Sequence, residues 1–152
     1  CVLLFAGVVV VSSAMQIAGS MKNPEITSVQ RERAAHLQNN GLTFGYATFW
    51  NANVVTELTD GDVEAVAVSI DANAQGQGVP HTSMWLEATA DRRMERPDEP
   101  VFLMLTAQES GQLSDFLALS GAQKRWEQSG MTIYEIESQR VFFETAQTMD
   151  AQ

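Results

Sequence analysis

The residues best suited to chemistry lie in one run of eight, Tyr46-Ala47-Thr48-Phe49-Trp50-Asn51-Ala52-Asn53. Aromatic faces, a hydroxyl and two carboxamides are the groups that hold a sugar. Rings stack on its C–H faces, while Asn and Thr donate to and accept from its hydroxyls. The run falls where a strand candidate hands over to a helix candidate, and ligands of open α/β sheets usually sit at that carboxyl end of a strand. Tyr46, Thr48, Trp50, Asn51 and Asn53 are therefore the candidate sugar contacts. His81 with Trp85 is a smaller second grouping of the same kind. The competing reading makes Phe49 and Trp50 core residues and Asn51 a brace for a loop.

Other chemistries find less in the chain. Gly76-Gln77-Gly78 lacks the third glycine and the helix start of a dinucleotide-binding loop. No GxSxG elbow occurs, and Ser110 and Ser120 read as a helix cap and a helix end. The acidic pairs Asp60/Asp62, Asp98/Glu99 and Glu135/Glu137 fall at turns or along a strand, where solvated carboxylates are the rule. His36 and His81 are far apart, and Cys1 is the single cysteine, so neither a metal site nor an intradomain disulfide is expected. No cofactor and no catalytic residue are expected within this stretch.

The 152 residues carry 19 acidic against 9 basic side chains, a net charge of −10. The only lysines are Lys22 and Lys124 and the arginines are scattered, so the clustered cations that nucleic-acid binding needs are lacking. Residues 1–19 carry no charge at all. About 20 apolar residues span the roughly 30 Å core of a bilayer. Residues 1–21 are thus expected to be a membrane helix, the last span of a larger protein, with the bilayer as partner. A signal peptide cut near Ser12-Ser13-Ala14 and a buried core helix are the alternatives. Few basic residues follow the segment, which favours an extracytoplasmic domain at the cell membrane.

The remainder reads as a soluble α/β domain over residues 25–147 with a tail at 148–152. Helices are expected at 25–40, capped by Ser28 with Thr27 and ended by Gly41, and again from a Thr48 cap to Gly61. In the latter, Trp50, Val54 and Leu58 recur every four residues and should form the buried face. Strands are expected at 42–47, 63–70 and 101–107, the last buried on both faces. Residues 71–82 read as a loop, 83–94 as a short helix, and 109–121 as a helix. Two closing strands meet at Gly130 and a final helix follows. This order predicts a small layered α/β domain with a short, mostly parallel sheet. Its expected core includes Val66, Val68, Phe102, Leu103, Leu105, Leu117 and Ile133.

The segments GLTFGYATFWNANVVTELTDGDVEAVAV, SMWLEATADRR and PVFLML resemble the carboxy-terminal extracytoplasmic part of bacterial polytopic membrane glycosyltransferases. These are similar to the dolichyl-phosphate-mannose protein mannosyltransferases. The resemblance rests on Gly45, Tyr46, Ala47, Trp50 and Ala52, with Phe49 where the pattern has Tyr, and on Trp85-Leu86. It implies that the catalytic carboxylate belongs to an early loop outside this stretch. The domain would then be a non-catalytic accessory that helps form or cover the site, partnered by the remaining transmembrane part and by a sugar or lipid-linked sugar. The alternative is a membrane-anchored binding or assembly module without enzymatic activity.

Overall fold

The computed structural model describes residues 24–82 and 96–152. The expected membrane segment 1–21, the expected helix at 83–94 and Trp85 lie outside the described residues. Among the described residues no helix is long and apolar enough to cross a membrane.

Helix α1 (Pro24–Asn39) leads into β1 (Phe44–Thr48), α2 (Phe49–Leu58) and β2 (Glu64–Ala72). A hairpin adds β3 (Gly78–Thr82). Then come β4 (Val101–Thr106), the short helices α3 (Ala107–Gln112) and α4 (Ser114–Leu119), the hairpin β5 (Gln123–Gln128) and β6 (Met131–Ile136), and α5 (Gln139–Asp150). The six strands lie in the order β3-β2-β1-β4-β6-β5. β1 runs parallel to β2 and to β4. The other three pairings are antiparallel.

The domain is α/β as expected, but its sheet is mixed rather than mostly parallel. Two tight connections account for this. Between β5 and β6, Ser129 (φ 51) and Gly130 (φ 75) both take positive φ, the two-residue turn whose twist suits a hairpin. Between β2 and β3, Asn73 builds the turn with its own side chain. Its Oδ1 accepts from the Gln75 and Gln77 amides at 3.1 and 2.9 Å, and its Nδ2 donates to the Met149 carbonyl of α5 at 2.9 Å. The stretch read as a loop over 71–82 therefore contains a strand. Pro80 sits in β3, at the sheet's edge, where a missing N–H is tolerated.

Two cores fill the space on either side of the sheet. On one side α4 and α5 bring Phe116, Phe142, Ala146 and Met149 onto Phe44, Tyr46, Val66, Val68, Leu103 and Leu105. On the other, Leu37 of α1 and Ala52 and Val55 of α2 meet Ala47, Ala67, Phe102, Met104 and Ile133. β4 feeds both cores, and its first five residues are all buried. Gly45 is needed where β1 passes β4, because a Cβ there would drive into the Phe102 carbonyl oxygen and ring.

α2 reverses the expected amphipathic face. Ala52 and Val55 are buried, whereas Trp50 is 79% exposed and Leu58 38%. The strands beneath explain the inversion. On that side β1 and β2 present Ala47, Ala65 and Ala67, a flat surface that admits a helix with small side chains and leaves no hollow for an indole. Three local expectations also shift. α1 begins at Pro24, where the missing N–H costs nothing, so Ser28 lies inside the helix rather than capping it. The single helix expected at 109–121 is two short ones. α5 runs to Asp150 with Met149 buried, so 148–150 are helix and not tail.

Candidate functional site

The carboxyl ends of β1 and β4 lie side by side, since Ala47 pairs with Met104. Each strand turns directly into a helix, α2 after Thr48 and α3 after Thr106. Backbone amides at a helix start lack intrahelical partners and carry partial positive charge. The two starts are finished differently. At α3 the Thr106 hydroxyl accepts from the Glu109 amide (3.2 Å), and the Glu109 carboxylate accepts from the Thr106 amide (2.7 Å). This reciprocal capping box closes the site with a fixed negative charge. At α2 the Thr48 side chain makes no capping bond. Its Oγ1 accepts instead from Nδ2 of Asn51 at 3.1 Å.

Thr48, Trp50 and Asn51 thus gather at one rim of the sheet. Asn51 is half-buried and braced on Thr48, while Trp50 and Asn53 are exposed. Trp50 is therefore not the core residue of the competing sequence reading. An exposed indole at a helix start that also carries a hydroxyl and a carboxamide supplies groups that can stack on a sugar ring and hydrogen-bond its edge. The Glu109 carboxylate on the neighbouring strand's helix is held by the Thr106 amide.

Tyr46 takes a different place from the one its sequence position promised. It is 1% exposed, with its ring stacked on Phe142 at 4.0 Å and 13°. Its hydroxyl accepts from Nε2 of the fully buried Gln139 at 3.0 Å. The Gln139 Oε1 accepts from the Arg96 amide at 3.0 Å, so the carboxamide is satisfied at both ends. Tyr46 is a core side chain that locks the start of α5 to β1. His81 lies on β3, two strands from β1, with Nε2 3.5 Å from Asp150 Oδ1 at the end of α5. It is not brought to Trp50.

Among the described residues, hollows open at the opposite, amino edge of the sheet. One of about 160 Å³ is lined by His36, Asn40, Leu42, Arg125 and Glu135. Arg125 binds Glu135 through Nε at 3.1 Å and Nη2 at 2.9 Å. That hydrogen bond and the opposite charge raise the guanidinium's pKa further. Another, about 290 Å³, is bounded by Pro100, Ser120, Gly121, Gln123, Glu135 and Glu137. Among the described residues no group of three His, Cys, Asp or Glu side chains could hold a metal ion.

Sequence reasoning missed Thr106 and Glu109. The signal was present: T-x-x-E at the end of an apolar run is the capping-box pattern. Gln139 left no such trace, because one glutamine at a helix start reads as surface. No family model matches the chain, and neither a curated protein nor a solved structure does.

Proposed function

We propose that this domain is a non-catalytic accessory of a membrane glycosyltransferase, and that it helps cover an extracytoplasmic site using lipid-linked sugar. The observation that supports the reading is the exposed Trp50 beside the Asn51–Thr48 pair, at the carboxyl edge where two parallel strands end. Residues 1–21 anchor the domain to the membrane, with residues 24–152 on the extracytoplasmic side. Thr48, Trp50, Asn51 and Asn53 supply the sugar-facing surface. Tyr46 supports that surface from below.

The test is deletion of residues 24–152 from the complete parent. The membrane part should still insert while transfer from a lipid-linked donor is lost. Unimpaired transfer would contradict the accessory role. A parent consisting of one membrane span and this domain alone would favour an anchored binding module.

A further inference from the structure

The expected membrane segment joins the domain at the leading end of α1, and the fold fixes which edge of the sheet that end serves. At its trailing end, the α1 carbonyl of Leu37 accepts from the Leu42 amide at 3.0 Å as the chain turns into β1. Gln38 there donates to Asp62 at 3.2 Å, just ahead of β2. Both contacts lie at the amino edge. Earlier in α1, Glu32 accepts from Gln128 Nε2 at 2.9 Å. Gln128 pairs with Met131, and Met131 with Thr106 at the carboxyl end of β4. α1 therefore reaches the carboxyl edge by Glu32. Residues 24–31 continue beyond it for about 12 Å at the helical rise of 1.5 Å per residue.

The exposed large apolar side chains of the described residues divide between the two edges. Leu58 ends α2 at the amino edge. Leu119, 61% exposed, precedes β5, whose Gln123 lies opposite Glu135 and so at the level of Phe102, again the amino edge. Trp50 is at the carboxyl edge, and tryptophan is the side chain that favours the headgroup layer of a bilayer.

We infer that the carboxyl edge of the sheet, with Trp50 on its rim, faces the headgroup layer of the bilayer that holds residues 1–21. This rests on the membrane reading given above and adds an orientation to it. The facing lipid is zwitterionic. Glu109 is fixed at this edge, Asp71 lies near the end of β2, and Glu32 offsets one of its neighbours Arg31 and Arg33, so no cationic surface is offered to anionic lipid. A sugar carried on lipid is presented at that same headgroup level, where Thr48, Trp50 and Asn51 are placed to meet it.

The experiment uses the whole 152-residue chain in phosphatidylcholine vesicles that carry a headgroup-linked dansyl acceptor. One variant keeps Trp50 as the sole donor through Trp85→Phe and Trp126→Phe. A second carries those changes with Trp50→Phe and Leu58→Trp. Eight helical residues, about 12 Å, separate the two donor positions, and energy transfer falls with the sixth power of distance. Transfer efficiency from position 50 should be at least about twice that from position 58. A second pair avoids the half-buried Trp126: Trp50→Cys or Leu58→Cys, each in a Cys1→Ser chain and labelled with a donor dye, should show the same contrast. Flotation with vesicles after an alkaline wash separates the failures. A chain that does not float overturns the membrane reading and this orientation together. A chain that floats with equal or stronger transfer from position 58 overturns the orientation alone.

Discussion

At the scale of single residues, the two most constrained positions of β1 are Gly45 and Tyr46, and neither is a surface residue. A methyl group at Gly45 meets a backbone oxygen of β4, which cannot rotate away as a side-chain tip could. Gly45→Ala should therefore lower unfolding stability by about 3 kcal/mol or more, the upper end of overpacking costs, read as a shift of the denaturant midpoint. Tyr46→Phe keeps the stack on Phe142 but strands a buried Gln139 donor, so a loss of about 1–2 kcal/mol is expected. A loss below the error of the measurement would mean that Gln139 finds another acceptor. The sequence showed an aromatic at position 46 without showing its depth. Alternation marks which residues share a face of a strand, not which face is covered when helices lie on both sides.

Elements were more legible than their faces. β4 was readable because an apolar run of that length has no solvent side to offer, and Val101 to Leu105 are all buried. The β5–β6 hairpin was readable from the glycine at its turn. β3 was not, because its strand character comes from pairing with β2 and from the Asn73 turn rather than from its own residues. The period of Trp50, Val54 and Leu58 misled for a related reason. Helix packing depends on the partner surface, and the alanines of β1 and β2 select the small face of α2. The candidate site was legible as a composition at residues 46–53, but its split into a buried tyrosine and an exposed tryptophan was not. The last turn of α5 gives the check at this scale. Met149 is fully buried and its carbonyl accepts from Asn73. Ending the chain after Gln147, or replacing Met149→Ala, should cost about 2–5 kcal/mol. An unchanged midpoint in either variant would show that α5 is held by Phe142 and Ala146 without it.

At the scale of the whole molecule, the described residues place one core on each side of the sheet, both built from residues between Leu37 and Met149. Residues 24–152 should accordingly unfold in a single cooperative denaturant transition when produced alone; a broad, non-cooperative curve would mean that the missing segments complete a core. That domain also separates stability from function. Trp50 is 79% exposed, so truncating it should leave the midpoint nearly in place, unlike a buried tryptophan, whose loss costs about 3–5 kcal/mol. Asn51→Ala is less clean, because the bond to Thr48 is itself worth about 0.5–1.5 kcal/mol. The most direct measurement is therefore paired on Trp50→Ala: sugar transfer from a lipid-linked donor by the complete parent in membranes, and the denaturant midpoint of residues 24–152. The account predicts transfer reduced at least about tenfold, as losing about 1.4 kcal/mol of contact with the reacting complex would give, with the midpoint unmoved. Undiminished transfer at an unmoved midpoint would contradict it.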